Sequence, residues 1–453
     1  MRGGILFAGK DTPRPVYDAD NNNFAPRIGL AYQVGGNTVV RAGYGIFYIP
    51  YNQRFYAAAG SVPGFDTNTF SFSSLNGGLT FPNTVQDLFP TGLAQPIGSS
   101  LGLQTFLGQA FFLPQMPRAK PNAYSQRWQV GVQHVFAGSI KLEVRYVGNR
   151  TLKMPIAKNI NALPNRFLST SPERDQATIN RLSRLVPNPF FGMAGVGGSL
   201  GTATVVSASS LLLPFPAFSS ITTQLNQGRS WYDALQVELE RRLSKGLTFQ
   251  TMGYLNPADD TPERVIGYQT RPHMWRFMGI YELPFGRGKR FGSNVGTALE
   301  WLVGGWQMQG ITYVQSGTPI PFQNSVFRGN IKEISIDDPT RERLFNISGF
   351  ERDPAKQLAS NVRTFPSRFA GVRYPHFSTT DFSLIKSFKV ERFSFEVRAE
   401  AYNVFNNHFF NDNAGYGYGV PSAADTNPLS QNFGATQVAS IGRVLQGVLR
   451  LVF

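Results

Sequence analysis

Apolar and polar positions alternate with a period of two along much of this chain, which is the signature of strands with one greasy and one wet face. In 437–453, Ile441, Leu445, Leu449, Leu451 and Phe453 share a face, while Gln446 and Arg450 point the other way. In 124–136, Tyr124, Trp128, Val130, Val132 and Phe136 oppose Ser125, Arg127, Gln129 and Gln133. In 139–149, Ile140, Leu142, Val144 and Tyr146 oppose Lys141, Glu143 and Arg145. Ala137-Gly138-Ser139 joins the two, a hairpin-sized connection.

The unit recurs. At 231–255, Leu235, Val237, Leu239 and Leu243 oppose Gln236, Glu238, Glu240 and Arg242; the turn Ser244-Lys245-Gly246 follows, and Leu247 and Phe249 restart a strand. At 378–405, Phe382, Leu384 and Phe388 precede the turn Lys389-Val390-Glu391-Arg392, after which Phe393, Phe395, Val397, Ala399, Ala401 and Phe405 oppose Ser394, Glu396, Arg398 and Glu400. Near the start, 25–34 and 38–48 flank Gly35-Gly36-Asn37. Over 272–316 the connection is longer: PFGRGKRF, a second approach through Leu299, then a return strand with Trp306, Met308 and Val314 on one face. Residues 2–9 read as the opening strand.

Between the hairpins lie 49–123, 150–230, 317–377 and 406–436, rich in Gly, Pro, Ser, Asn and Phe and without periodicity. If Phe453 ends at the periplasm, every short turn falls on that side and every long segment outside. The prediction is therefore all-β: an antiparallel up-and-down transmembrane β-barrel with about twelve strands in about six hairpins, as part of a larger barrel. Residues 1–453 form one domain in this reading. Arg241, Lys386 and Arg443 sit on the apolar face near strand ends, where long side chains snorkel to headgroups. Tyr124, Phe136, Tyr146, Trp231, Phe388 and Phe405 occupy the levels expected of aromatic girdles.

Composition agrees. Charged residues are 16% of the chain, against about 25% in soluble domains. No apolar run is long enough for a transmembrane helix, and a barrel needs none. The absence of cysteine excludes disulfides, thiolate metal sites and Cys nucleophiles. The net charge of +15 is scattered over turns, loops and the wet face, with no basic run or nucleic-acid module. MRGGILFAGKD lacks the apolar core of a signal peptide, so the reading expects the C-terminal piece of a longer exported chain, a truncated gene product or a designed chain.

Several segments together resemble Oar-like TonB-dependent outer-membrane receptors: NNNFAPRIGLAYQVGGNTVVRAGYGIFY (21–48), WYDALQVELERRLSKGLTFQ (231–250), RPHMWRFMGIYELPFGRGKRF (271–291), GGWQMQGITYVQSGTP (304–319) and FSFEVRAEAYNVFNNHFF (393–410), with the Phe-terminated end strand. The resemblance implies a barrel of about 22 strands, plugged by an N-terminal domain and energised through TonB. The chain departs from that pattern in lacking a plug and about half the strands, so TonB coupling is implied only through a missing plug. Phe453, Leu451 and Leu449 resemble the C-terminal signal read by barrel-assembly machinery. Pro257 interrupts GYLNPADDTPERV (253–265), shortening that strand.

Other chemistry is sparse. Gly197-Gly198-Ser199-Leu200-Gly201 fits G-x-S-x-G, but a nucleophile elbow needs a strand before the Ser and a helix after it, and the surroundings read as a Gly-rich loop. His134, His273, His376 and His408 show no metal-ligand spacing. Gly286-Arg287-Gly288-Lys289 lacks phosphate-loop spacing, with Arg290 where Ser or Thr belongs, and reads as a turn whose bases meet headgroup phosphates. Asp259, Asp260, Asp337, Asp338 and Glu342 form no calcium loop and read as solvated carboxylates. Arg127, Lys141, Glu143, Arg145, Glu238, Glu240, Arg242, Arg276, Glu396, Arg398 and Glu400 share the lumen face and mix signs, so they pair across strands. No enzyme activity, cofactor, metal or nucleic-acid partner is expected; outer-membrane lipid and an unidentified ligand are. The reading is the barrel portion of a TonB-dependent transporter taking up a scarce ligand. The alternatives are a self-contained passive porin and a secreted, soluble β-rich adhesin or enzyme.

Overall fold

The computed structural model describes residues 3–9, 18–49, 64–71, 74, 76–113, 121–244, 247–255, 259–260, 265–267, 270–390, 392–408, 424–436 and 442–452. Among the described residues the chain forms sixteen strands. Eleven make the wall: β1 (Arg27–Val34), β2 (Thr38–Ile49), β4 (Ala123–Phe136), β5 (Ile140–Asn159), β8 (Ser220–Ser244), β9 (Leu247–Leu255), β12 (His273–Glu282), β13 (Trp306–Gln315), β14 (Phe377–Val390), β15 (Phe393–Tyr402) and β16 (Val444–Val452). They hydrogen-bond in the order β1-β2-β4-β5-β8-β9-β12-β13-β14-β15-β16, each antiparallel to the next. The remaining strands are short and belong to the connections: β3 (Ala110–Phe112), β6 (Leu185–Pro187), β7 (Val205–Ser207), β10 (Asp259–Asp260) and β11 (Val265–Ile266).

Register converts the alternation into two continuous faces. Tyr32, Val40, Val132, Val144, Val237, Gly253, Trp275 and Val314 form one unbroken row across eight strands. Tyr281, Met308, Leu384 and Ala399 continue that face toward β16, where Leu449 lies opposite Val397 and Leu451 opposite Phe395. These side chains are uncovered: Leu449 is 73% exposed and Val130 49%. An apolar band this extended is stable only against hydrocarbon. The reverse face carries Gln33, Gln133, Glu143, Glu238, Arg276 and Tyr313 in its corresponding row.

The connections alternate as expected. The β1–β2, β4–β5, β8–β9 and β14–β15 strand pairs reverse on one side, as does β12–β13 through the longer 283–305. At 137–139, Gly138 (φ 77°) and Ser139 (φ 60°) take left-handed backbone so that three residues turn the chain. The strand ends that lead into the long β2–β4, β5–β8, β9–β12, β13–β14 and β15–β16 connections all lie on the opposite side.

The structure corrects several expectations. Residues 3–9 form no strand; Ile5 is buried and Phe7 meets Phe65 edge-on at 5.7 Å. The last strand is Val444–Val452, while 437–441 and Phe453 lie outside the described residues, as do Lys245, Gly246, Pro257 and Glu391. Leu299 lies in the short helix Thr297–Val303. Phe405 follows the end of β15 and is 70% exposed. The largest difference is at 150–230: β5 has 20 residues and β8 has 25, and they stay paired as far as Asn159 and Thr222. At about 3.3 Å per residue, β8 runs about 80 Å, whereas a membrane span takes about 9–11 residues. The β5–β8 hairpin therefore continues beyond the bilayer as a stalk. A register break at Leu152/Met154/Pro155 bends it, with Lys153 at φ 57°, which accommodates a proline that donates no ladder hydrogen bond.

Candidate functional site

A candidate ligand-binding cap stands over a polar lumen. Of the lumen-facing charges, Lys141 pairs across strands as expected, whereas Arg145 and Arg398 pair along their own strands, because residues i and i+2 share a face. Lys141 Nζ lies 2.6 Å from Glu240 Oε2 and 3.2 Å from Glu238 Oε1, and Arg145 meets Glu143 at 3.3 Å. Arg398 meets Glu396 at 2.6 Å and Glu400 at 3.3 Å. Arg276 lies 4.9 Å from the Tyr313 ring. Arg127 and Arg27 flank the Phe47 ring at 5.3 and 4.8 Å, and Arg41 donates to Gln133 Oε1 at 2.7 Å. A half-solvated face of paired charges suits a wet interior and would be costly against lipid. The side chain of Arg242 lies outside the described residues.

The apolar-face charges behave differently from one another. Lys386 does not snorkel outward: it is 8% exposed, its ammonium donates to the Gly304 carbonyl, and it lies 5.2 Å from the Trp306 ring. Arg241 opposes Ile140 near the turn side. Arg443 precedes β16 and donates to the Val404 carbonyl at 3.3 Å. One pair escaped the sequence reading. Asp233 shares the lipid face with Tyr146 and Arg150, and it accepts from the Tyr146 hydroxyl at 2.6 Å and from Arg150 Nη1 at 2.8 Å. Arg150 also lies 5.2 Å from the Trp128 ring. Tyr48 and Tyr124 pack at 5.6 Å toward the loop side, and Phe388 stacks on Phe395 at 5.1 Å toward the turn side.

The long connections are folded, although they carry no periodicity. One core joins 316–376 to 424–436: Ile320, Phe322, Ile334, Leu344, Phe345, Phe350, Phe365, Val372, Tyr374, Ala424 and Phe433 are all buried. Several of its rings pack edge to face, among them Phe322–Phe345 at 4.9 Å and Phe350–Phe433 at 5.2 Å, while Phe322 and Phe350 stack at 6.0 Å. Quadrupole attraction favours the edge-to-face geometry over face-to-face stacking. A second core over the β5–β8 stalk gathers Leu107, Phe190, Ala217, Phe218 and Ile221. Buried Asn161 organises it, donating to the Phe215 and Phe218 carbonyls and accepting from Phe215 N.

The two modules are tied together. Ser169 N donates to the Ser360 carbonyl, and Val362 N donates to the Ser169 carbonyl, both at 2.9 Å. Arg328 bridges Glu173 at 3.2 Å and Glu351 at 2.8 Å, joining the connections. Those carboxylates raise the Arg328 guanidinium above its ordinary value, while Arg328 and the Asp353 amide hold Glu351 below the usual carboxylate range. The Thr178 amide and hydroxyl lower Asp175, which caps the helix Gln176–Ser183. Arg373 donates to the Thr270 and Gly317 carbonyls at the base of the cap; burial, with Arg271 nearby, pulls it below its ordinary value.

Where 341–344 meets 431–436, the backbone pairs through Leu344 N to Gly434 O and Thr436 N to Arg341 O. A cavity of about 420 Å³ opens there, lined by Arg341, Glu342, Gln431, Asn432 and Thr436 among others. A cation, a carboxylate and two amides on a backbone-braced rim can hydrogen-bond a polar solute. Glu342, named from sequence as a solvated carboxylate, is thus on this rim beside Arg341 at 3.2 Å.

The other sequence candidates remain apart. Asp337 and Asp338 are exposed, and no side-chain detail is described for Asp259 and Asp260. His134 bonds Thr38 at 2.7 Å, His273 bonds Ser316 at 3.3 Å, and His376 and His408 are exposed. Among the described residues, no group of three or more potential ligands is placed to hold a metal. A helix, Gly198–Thr202, does follow Gly197, but residues 193–197 leading into it form no strand, so the G-x-S-x-G segment is no nucleophile elbow. Arg287 and Lys289 are engaged within their own turn, at the Val295 carbonyl and Glu282.

Residues 2–446 match the family described as the outer membrane beta barrel domain. None of the curated proteins matches the chain. Among solved structures, it is similar to the ferripyoverdine receptor of the outer membrane of Pseudomonas aeruginosa (8% identity, TM-score 0.41, 95% of this chain and 33% of that one). It is also similar to the outer membrane transporter YddB from Escherichia coli (10% identity, TM-score 0.42, 96% and 41%). A third similar structure is the siderophore receptor PirA from Acinetobacter baumannii (11% identity, TM-score 0.41, 94% and 40%). The chain thus spans well under half the length of each of these proteins. With its hydrocarbon-facing band, its ion-paired wet face and a family match over nearly its whole length, the chain belongs to the outer-membrane β-barrel domain family.

Proposed function

We propose that the chain forms the membrane wall and ligand-facing cap of a TonB-dependent transporter that takes up a scarce solute, with energy coupled through a plug seated against the polar lumen face. The observation that carries this reading is the interlocked cap: connections from four hairpins fold into shared cores and bind one another across the mouth side of the wall. A simple diffusion pore has no use for loops braced to that degree, whereas a receptor needs a preorganised surface to capture a dilute ligand. The mixed ion pairs of the lumen support the plug role, because they present hydrogen-bonding groups in both senses to a docked domain. The cap cavity sets hydrogen-bonding groups of Arg341, Glu342, Gln431 and Asn432 beside Phe433 and Ala435, so it can meet a solute with both polar and apolar surface.

The test is growth of a strain lacking the gene on a panel of scarce solutes: ferric chelates, cobalamin, copper and oligosaccharides. The proposal expects one solute to be limiting in the deletion strain, with uptake abolished by a protonophore. Uptake of many small solutes that survives the protonophore, together with large steady conductance in planar bilayers, overturns it in favour of a passive porin.

A further inference from the structure

The turn-side connection 283–305 differs from its neighbours, which need only two or three residues. It carries the helix Thr297–Val303 and closes on the lipid face of the wall: Trp306 Nε1 donates to the Leu302 carbonyl at 2.8 Å, and Trp306 shares its row with Lys386, Val397 and Leu449. Lys386 donates to the Gly304 carbonyl from the same face. Glu300 turns inward and accepts from Arg287 N at 2.6 Å, leaving the apolar side chains of the helix pointing away. Leu302 is 68% exposed, and Leu299, Trp301, Phe285 and Phe291 are also exposed, with the two Phe rings 5.6 Å apart. Arg290 lies 5.5 Å from the Phe291 ring.

We propose that 283–305 is an interfacial anchor: the helix Thr297–Val303 and the Phe285–Phe291 pair insert into the periplasmic leaflet of the outer membrane, beside the wall and continuous with its hydrocarbon-facing band. The occupant is phospholipid. Three features select it. The anchor is fastened to a lipid-facing tryptophan, its exposed side chains are large and apolar, and it lies at the end of the strands where a leaflet boundary must fall. Arg287 and Lys289 brace the turn from inside, so the basic segment shapes the anchor and the apolar side chains make the contact.

The chain has no cysteine, so a single probe is unambiguous. Leu302→Cys and, separately, Leu299→Cys are labelled with a polarity-sensitive fluorophore in the full chain. Each is folded into phosphatidylethanolamine–phosphatidylglycerol vesicles, and emission is read only from the folded, heat-modifiable fraction. The expected result is blue-shifted emission at both sites, quenched by spin-labelled lipid and shielded from aqueous iodide. Water-like emission quenched by iodide overturns the proposal, and so does shielding without lipid quenching, which means a protein contact. Leu449→Cys on the membrane-facing row serves as the control: if it too fails to meet lipid, the barrel reading itself falls, separately from the anchor.

Discussion

Single side chains on this wall are held to one face by what lies directly across the strand. Gly148 shows the constraint most sharply. The Trp128 ring lies flat across it, with Arg150 above the ring, so a β-carbon at 148 collides with the indole. Gly148→Ala is expected to push the Trp128 ring aside toward lipid, at about 0.5–1.5 kcal/mol for the strained rotamer, because the ring is not enclosed. The readout is a lower urea midpoint for the detergent-folded protein. Face matters as much as volume. Leu449→Arg puts a charge against hydrocarbon opposite Val397, and an arginine near the bilayer midplane costs about 2–4 kcal/mol. Arg450→Leu changes the neighbouring residue on the wet face, opposite Glu396, and should leave the folded yield on unheated gels nearly unchanged. Equal loss in both variants would mean that the two faces are not chemically distinct. Phe453, with Leu451 and Leu449, remains proposed as the assembly signal.

At the scale of elements, strands and cap obey different rules. The strands were legible because membrane burial enforces strict alternation, so hairpins at 25–48, 124–149 and 378–402 could be phased from residue type alone. The β5–β8 stalk was not, because beyond the bilayer nothing demands an apolar side, and TTQLNQGRS (222–230) alternates too weakly to reveal a strand. The cap cores escaped for a related reason: Phe322, Phe345, Phe350, Phe365 and Phe433 are spaced by turns, so composition shows the abundance of Phe but not the meeting point. The cavity rim was equally hidden, since Arg341 and Asn432 come together only through backbone pairing across two connections. Phe345→Ala should open the larger core, at about 3–5 kcal/mol for a fully buried Phe, while the wall persists. Hydrogen exchange would then rise in 316–376 and 424–436 but not in β12–β15. Acid should act on the same element. Asp175 and Glu351 have depressed pKa values, so the stability they contribute is complete above the ordinary carboxylate pKa of about 4 and is lost as pH falls through the lower folded values. Exchange at the Thr178 and Asp353 amides should therefore accelerate as pH falls below the ordinary carboxylate pKa of about 4. Asp175→Asn and Glu351→Gln should remove most of that pH dependence.

The molecule as a whole is a wall whose mouth is spanned by connections that must separate if a solute is to pass between them. The seam lies where 165–175 meets 351–362, held by backbone bonds at Ser169, by Arg174 Nη1 to the Gln357 carbonyl at 2.8 Å, by Asn361 Nδ2 to the Ser171 carbonyl at 2.8 Å, and by Arg328 with Glu173. Ser169 and Asn361 pair as a parallel bridge, so their Cα atoms sit at about the spacing of neighbouring strands, within the range a disulfide spans. In a chain without cysteine, Ser169→Cys and Asn361→Cys have no other partner within the same chain, and a non-reducing gel tells their bond from a dimer. The expected outcome is spontaneous oxidation in the periplasmic pathway, seen as a mobility shift reversed by dithiothreitol, with the wall intact. If the seam is the entry route, the oxidised pair stops uptake of the solute identified by the growth panel, and reduction restores it, while surface binding of that solute survives oxidation because the cavity at Arg341 and Asn432 lies apart from the cross-link. Undiminished uptake through a fully oxidised seam would place the route elsewhere in the cap. The seam would then be a static brace.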